Sequence, residues 1–304
     1  MTVLEVIQRS TQFLAKKGVD APRLQTELLL AHLLQVPRMQ LYLNFDRMLM
    51  STEVDALREL VQRRGQREPL QHIIGTVVFC GLELNVDRRA LIPRPETELL
   101  AERGWKFLHE RSRTEDRSQV VLDFGTGTGC LAIALACQCP NAQIYALDIS
   151  SAALALAGQN AQRYPPAHRI EFLQGGTLQA LSPGTRLDLL LSNPPYIPTT
   201  EIGTLQPEVR DYDPQIALDG GEDGLDCYRY LAVEAADLLN PEARLMVEIG
   251  DGQAPAIRAL FEAQNWVVES LAEDYNQRPR ILELRRGPAA LVTEGKTREL
   301  EHPI

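Results

Sequence analysis

Across residues 1–70 the apolar positions recur at helical spacing. Leu4, Ile7 and Leu14 fall on one stripe, Leu24, Leu28, Leu29 and Leu33 on a second, and Val54, Leu57, Leu60 and Val61 on a third. Residues three and four apart share a helix face, so these runs predict three amphipathic helices. Asp20 and Pro22 supply a cap and a first-turn proline for the second, and Ser51 with Glu53 opens the third. The period changes at residue 73. Ile73–Phe79 and Leu82–Val86 read as strands around Cys80-Gly81, a hairpin joining the two halves of the chain. In Ile92-Pro93-Arg94-Pro95-Glu96-Thr97-Glu98 the prolines hold an extended segment, and Pro95 opens a helix running through Leu108.

From residue 119 strand and helix patterns alternate. Strands are expected at Val120–Phe124, Ile144–Leu147, Ile170–Leu173, Leu187–Leu191 and Leu245–Ile249, with helices at Leu131–Cys137, from Ser150, and at Tyr228–Leu239. Trp266–Leu271 and Arg280–Leu284 close the series as an antiparallel pair. Such alternation specifies an α/β fold, a mostly parallel sheet with helices on both faces. The expected organisation is a helical domain over 1–72, a hairpin linker over 73–92, an α/β domain over 93–286, and a polar tail over 287–304 with too little apolar surface to order itself.

Composition narrows the class. With 44% apolar and 24% charged residues the chain reads as a soluble protein, and the absence of a basic start and apolar stretch at Met1–Ser10 points to the cytoplasm. Five scattered cysteines, Cys80, Cys130, Cys137, Cys139 and Cys227, suit neither a disulfide framework nor a zinc site, so no metal is expected. The net charge of −10 is uneven: residues 201–275 carry 17 acidic and 4 basic side chains. A single-sign acidic region repels a phosphate backbone, which argues against nucleic acid as partner, and no apolar run is long enough for a membrane span. No heptad or self-pairing edge points beyond a monomer.

Asp123-Phe124-Gly125-Thr126-Gly127-Thr128-Gly129-Cys130 joins the first strand of the alternating region to its helix. Glycines there let the backbone bend sharply and let a ligand approach the main chain at the carboxyl edge of the sheet. The G-x-G-x-G spacing differs from the G-x-G-x-x-G of pyrophosphate-binding loops. Asp148 ends the second strand, where a carboxylate can accept both hydroxyls of a ribose or cap the following helix together with Ser150. Loop and acid together favour a nucleoside without phosphates carrying a sulfonium, S-adenosylmethionine.

Leu189-Leu190-Leu191-Ser192-Asn193-Pro194-Pro195-Tyr196 sets a strand before a proline-stiffened turn. The Asn193 side-chain carbonyl and the Pro194 main-chain carbonyl are two acceptors for one –NH2 group, with Pro195 stiffening the turn and Tyr196 offering a flat face to a planar amide or base. An amide nitrogen is a poor nucleophile because its lone pair is delocalised; gripping both hydrogens orients that pair towards a methyl donor. Catalysis is then chiefly positioning and electrostatics, with no metal, histidine base or covalent intermediate. A plain β-turn is the alternative for Asn-Pro-Pro taken alone.

Asn193-Pro194-Pro195-Tyr196, with Glu68–Gly75, Leu91–Glu98 and Asp219–Asp226, makes the chain resemble the HemK-type glutamine methyltransferases of class 1 peptide chain release factors. The resemblance covers nearly the whole chain to about residue 286. It implies the class I S-adenosylmethionine methyltransferase fold, a doubly wound seven-stranded sheet, with the N-terminal helices docking the protein substrate. Gly125, Thr126, Gly127, Thr128 and Gly129 would cradle the cofactor, Asp148 its ribose, and Thr177 would line the pocket. Asn193, Pro194, Pro195 and Tyr196 would bind the glutamine of a Gly-Gly-Gln tip, Asn193 also bordering the cofactor, with S-adenosylhomocysteine as the second product. Phe124 stands where the family usually has leucine, and Gln174-Gly175-Gly176-Thr177 lacks its usual acid near the adenine. The other targets that fit are a ribosomal protein or an adenine amino group.

The remaining polar candidates carry two readings each. His72 reads as a hydrogen-bonded structural group; Arg94, Glu96 and Glu98 either frame the mouth of the site or satisfy a helix N-terminus. Glu248 lies near the substrate, caps a helix or sits at the surface, and the acidic Asp219–Asp226 run is a loop over the site or a solvated turn.

Overall fold

The computed structural model describes residues 1–288, so the expected tail, apart from Gly287 and Pro288, lies outside the described residues. The N-terminal part holds helices α1 (Val3–Lys16), α2 (Pro22–Leu34), α3 (Arg38–Tyr42), α4 (Ser51–Gly65) and α5 (Leu70–Ile74). Thr2 caps α1 reciprocally: its Oγ accepts from Glu5 N–H, and the Glu5 carboxylate accepts from Thr2 N–H. Val3, Val6, Ile7, Leu14, Leu29, Leu30, Leu57 and Val61 form a core of their own.

Three sequence expectations shift here. The buried face of α2 is Thr26, Leu29 and Leu30 with Glu27, whereas Leu24 is exposed; a helix apolar on nearly every side carries no stripe to read. Its N-cap is Ala21, in the left-handed region, and not Asp20. Met50 precedes α4, and Glu53 satisfies the Met50 N–H from inside the first turn, leaving Ser51 as the first helical residue.

Ile73 and Ile74 belong to helix α5 and not to a strand. Gly75, at φ 88°, ends the helix with its N–H on the Gln71 carbonyl, a left-handed cap that overrides the β propensity of two isoleucines. The hairpin therefore starts at Thr76, with strands β1 (Thr76–Phe79) and β2 (Leu82–Asn85). Helix α6 (Pro95–Arg111) follows, with Pro95 in its first turn as expected.

The α/β part comprises β3 (Val120–Phe124), α7 (Cys130–Gln138), β4 (Gln143–Asp148), α8 (Ser151–Ala161), β5 (Glu171–Gln174), β6 (Leu187–Ser192), α9 (Pro207–Arg210), α10 (Asp226–Glu234), β7 (Leu239–Glu248), α11 (Ala254–Ala263), β8 (Trp266–Glu273) and β9 (Pro279–Arg286). One seven-stranded sheet has the order β5-β4-β3-β6-β7-β9-β8. Its first five strands pair in parallel, and β9 pairs antiparallel with both β7 and β8. Leu239 begins β7 instead of ending α10, so that strand is longer and its helix shorter than the pattern suggests.

Each sheet face carries its own apolar layer. One joins Leu100, Leu108, Leu131, Leu135, Leu189 and Leu191 with Phe79 and Leu84 of the hairpin; the other joins Leu122, Leu190, Tyr228, Leu231, Ile257 and Phe261. All six residues of β6 are buried, as a strand covered on both faces requires. In α6, Gly104 lets the helix lie close on the sheet, since a Cβ there would stand 2.9 Å from Leu191 Cδ2.

Candidate active site

The order of the strands brings three sequence-distant segments to one place. β4, β3 and β6 are neighbours and parallel, so their carboxyl ends lie side by side: Asp148 closes β4, the glycine loop follows β3, and Asn193 follows β6. Ser192 Oγ ties the end of β6 to the Phe124 carbonyl at 2.7 Å.

Within the loop, Gly125, Gly127 and Gly129 all take positive φ. Gly125 and Thr126 N–H groups both donate to the Leu147 carbonyl, and Gly127 N–H donates to Asp148 Oδ2 at 2.8 Å. The other oxygen of Asp148 accepts from Ser150 N–H at 2.9 Å, while Ser150 Oγ caps α8 through Ala153 N–H. Asp148 thus serves the helix start, as its capping reading expects, and also steadies the loop; its carboxylate keeps lone pairs free on the cavity side, and the ribose reading stands as an expectation.

A cavity of about 520 Å³ opens at this edge, lined by Gly125, Gly127, Asp148, Gly175, Gly176 and Asn193 among others. That volume is in the small-molecule range of roughly 300–1,000 Å³. Phe124 and Tyr230, stacked with centroids 6.0 Å apart, form part of its apolar wall together with Leu147 and Ile149.

Not every expected residue faces that cavity. Thr126 and Thr128 are buried: Thr126 Oγ donates to Asp123 Oδ2 at 2.6 Å, and the Thr128 carbonyl accepts from Asn160 Nδ2. Gly129 packs against α8, where a Cβ would meet that of Ala157 at 3.0 Å. Thr177 is exposed and outside the lining, and Tyr230 occupies the neighbouring wall with its hydroxyl accepting from Leu178 N–H. Asp123 is wholly buried beneath the loop, and that burial pushes its carboxyl up to about 7.

A second cavity of about 290 Å³ adjoins the first and is lined by Asn193, Pro194, Tyr196, Arg94, Glu248 and Arg280 among others. Pro195 lines the larger cavity. Asn193 lines both. Its Nδ2 donates to Thr97 Oγ at 3.0 Å, and Thr97 Oγ donates to Glu248 Oε2 at 2.7 Å. Glu248 is 2% exposed, neither a helix cap nor a surface residue, and burial raises its carboxyl to about 7 against the opposing pull of Thr97 and Arg280. Burial likewise pushes the Tyr196 hydroxyl up to about 12, so it stays neutral.

Glu96 and Arg94 border the second cavity, whereas Glu98 accepts the Cys80 N–H at 2.8 Å and pins the hairpin turn. His72 is half-buried with neither ring nitrogen hydrogen-bonded among the described residues, against its expected bonded role, and burial lowers its pKa. Thr97 and Arg280 escaped the sequence reading. Thr97 sits inside an already noted motif, but nothing in its spacing shows that it reaches Glu248.

The segment between Tyr196 and Asp226 roofs both cavities through Leu205, Val209, Pro214, Ile216, Ala217 and Leu218. Ile197 bridges Asp219 in parallel, and Gly224 approaches the Tyr196 carbonyl so closely that a Cβ would stand 2.3 Å from it. The end of α4 and the residues just after it, together with Arg94 at the head of α6, hold this roof. Arg64 Nη2 and Arg67 Nη2 each lie 2.6 Å from the Glu208 carboxylate, Tyr212 donates to the Gln66 carbonyl, and Arg94 Nη2 is 2.7 Å from Asp213 Oδ2.

Comparison with known proteins places this arrangement. A family model described as PrmC N-terminal domain matches residues 5–75, and one described as Methyltransferase small domain matches residues 101–205. The chain is 44% identical over 286 residues to the Release factor glutamine methyltransferase of Geobacter sulfurreducens, covering 94% of this chain and 97% of that protein. It is 40% identical to the protein of the same name from Chlorobaculum tepidum, covering 92% and 96%. Among solved structures, the hMettl16 catalytic domain in complex with MAT2A 3'UTR hairpin 6 superposes with a TM-score of 0.53 at 12% identity, over 79% of this chain and 83% of that one, a likeness of fold alone. On identity of this extent, over nearly the full length of both chains, the protein belongs to the release factor glutamine methyltransferase family.

Proposed function

We propose that this chain transfers the methyl group of S-adenosylmethionine to the side-chain amide nitrogen of the glutamine in the Gly-Gly-Gln motif of class 1 peptide chain release factors. The observation that carries the reading is the position of Asn193, one side chain shared by the glycine-loop cavity and the smaller cavity beside it. A methyl donor in one and an acceptor amide in the other would meet at this residue.

The larger cavity suits the donor. A Cβ at Gly125 would meet nothing within 4 Å, so the loop's main chain is open to a ligand. Gly125, Gly127 and Asp148 would hold the ribose and the amino-acid end, and Ile149, Phe124 and Tyr230 would cover the adenine. S-adenosylmethionine bound there supplies a methyl group made electrophilic by its sulfonium.

In the smaller cavity, Asn193 Oδ1 and the Pro194 carbonyl accept the two hydrogens of the substrate amide, and Tyr196 packs on its plane. The grip holds the nitrogen lone pair out of conjugation and towards the donor, a gain of geometry and not of acid–base strength. No group of the site needs to take the proton; it leaves the methylated nitrogen to solvent. We read residues 1–72 as the recognition domain for the release factor, residues 73–92 as the hairpin linker, and residues 93–286 as the methyltransferase domain, acting as a monomer in the cytoplasm. Among the described residues no helix is long and apolar enough to cross a membrane.

The test is methyl transfer from labelled S-adenosylmethionine to purified release factor, the same factor with its Gly-Gly-Gln glutamine replaced, a ribosomal protein fraction, and duplex DNA. Label on the intact factor alone, abolished by Asn193→Ala in the enzyme, is the expected result. Label on DNA or on ribosomal protein in place of the factor would sink the assignment.

A further inference from the structure

Behind Asn193 stand two buried groups, one lining neither cavity and the other at the wall of the smaller one. Thr97, at the start of α6, and Glu248, the last residue of β7, are each 2% exposed, and with Asn193 they form a chain of two hydrogen bonds of 3.0 and 2.7 Å. A hydroxyl has one hydrogen and two lone pairs, while an ionised carboxylate can only accept. The Thr97 hydrogen therefore belongs to Glu248, and Thr97 can only accept from Asn193. Of the two ends of the Asn193 carboxamide only the –NH2 can donate, so Oδ1 is turned away from Thr97, and no hydrogen bond among the described residues occupies it.

Left to itself, a terminal amide torsion is broad and nearly two-fold, so packing alone would not distinguish the oxygen from the nitrogen. The flipped amide would present –NH2 to the –NH2 of the substrate, donor against donor. Resting on the proposed role of Asn193, we propose that Thr97 and Glu248 are positioning residues that lock the Asn193 carboxamide with Oδ1 towards the substrate amide.

The lock has a direction that depends on charge. A protonated Glu248 can donate to Thr97, freeing the Thr97 hydrogen for Asn193 Oδ1 and reversing the relay. The groups facing Glu248 are Arg94 and Glu96 from the beginning of α6, Arg280 from β9 and Tyr196 from the turn, with Tyr228 Oη on its main-chain carbonyl. Burial puts the Glu248 carboxyl at about 7, against the opposing pull of Thr97 and Arg280. Methyl transfer thus rises with pH through that value and levels off above it.

The experiment compares wild type with Thr97→Val, Thr97→Ser, Glu248→Gln and Asn193→Ala in the full chain. It measures kcat and KM for purified release factor from pH 6 to 9, and the affinity for S-adenosylhomocysteine by calorimetry. Thr97→Val is expected to lower kcat about tenfold or more, the scale of one misplaced hydrogen bond, with cofactor affinity held within about twofold. Thr97→Ser restores the rate, and Glu248→Gln lowers it while flattening the limb near pH 7. Full activity in Thr97→Val beside a dead Asn193→Ala would overturn the lock and leave the site assignment standing. An equal loss in Thr97→Ser and Thr97→Val, or a parallel loss of cofactor binding, would make Thr97 a packing residue and overturn it too. An active Asn193→Ala would remove the site reading itself.

Discussion

Replacing Glu248 by glutamine should stabilise this protein at high pH and do so progressively less as the pH falls. Glu248 is 2% exposed, so its charge gains little from water, and its carboxyl is raised from the usual 4.5 to about 7. The native state then holds the proton more tightly than the unfolded chain. By linkage, the favourable contribution of this group is fully present below pH 4.5 and is lost as the pH rises through about 7. A displacement of that size corresponds to ~3 kcal/mol of destabilisation above pH 7, at about 1.4 kcal/mol per pH unit. At pH 5.5, about one pH unit above the unfolded value, the cost is ~1.4 kcal/mol.

Glutamine carries no charge to bury. Its own change in hydrogen bonding to Thr97 is a fixed offset that cancels between two pH values. The expected result is that urea unfolding at pH 8 and at pH 5.5 shows the variant gaining ~2 kcal/mol on wild type between the lower and the higher pH. Asp123 has a similarly raised carboxyl and the same sign of dependence, but both proteins carry it, so it drops out of the comparison. A stability difference that is the same at both pH values within about 0.5 kcal/mol would refute the buried-charge account. Read beside the activity profile, the same substitution would show a residue retained at a cost in stability for what it does to Asn193.

Asp148→Ala removes the carboxylate proposed to hold the ribose, together with the Gly127 tether; S-adenosylhomocysteine affinity measured by calorimetry should fall about a hundredfold or more. Gly104→Ala gains helix propensity but drives a Cβ to 2.9 Å from Leu191 and 3.3 Å from Leu135. Crowding outweighs propensity, and thermal unfolding should show a net loss of about 1–3 kcal/mol. Arg64→Met and Glu208→Gln should each destabilise, and a double-mutant cycle followed by urea unfolding should return a coupling of about 0.5–3 kcal/mol, because the two groups touch at 2.6 Å with Arg64 almost fully buried.

The parallel sheet was legible because burial on both faces writes itself as a largely apolar run, as in Leu187–Leu191 with Asp188 its one polar member, and because the glycine loop and Asn193 both fall at the ends of such runs. What escaped was contact across the chain. Thr97 and Glu248 are 151 residues apart, and nothing local marks the acid closing an apolar strand as buried and bonded. Side-chain direction inside the loop escaped too: Thr126 and Thr128 alternate with the glycines, yet they turn to Asp123 and into the core, leaving the open face to the main chain. Thr177 rests on resemblance alone; it is exposed, and Tyr230 from α10 holds the adjoining Leu178 N–H. At Ile73-Ile74 the side chains suggested a strand, while the deciding signal was the following glycine, whose left-handed φ ends a helical turn.

The roof over the site is fastened to the N-terminal part by Glu208 and Tyr212, and to Arg94 at the head of α6 by Asp213, not to the sheet alone. The two parts of the chain consequently cannot be exchanged as independent modules. An N-terminal segment grafted from a relative would bring its own counterparts to residues 64 and 67, and it would leave Glu208 a half-buried charge without a mate unless the roof were grafted along with it. Sequence drift is coupled in the same way: a change at Arg64 leaves Glu208, 144 residues downstream, to Arg67 alone. Swapping of helical segments between homologues therefore tests how far such compensations have travelled together.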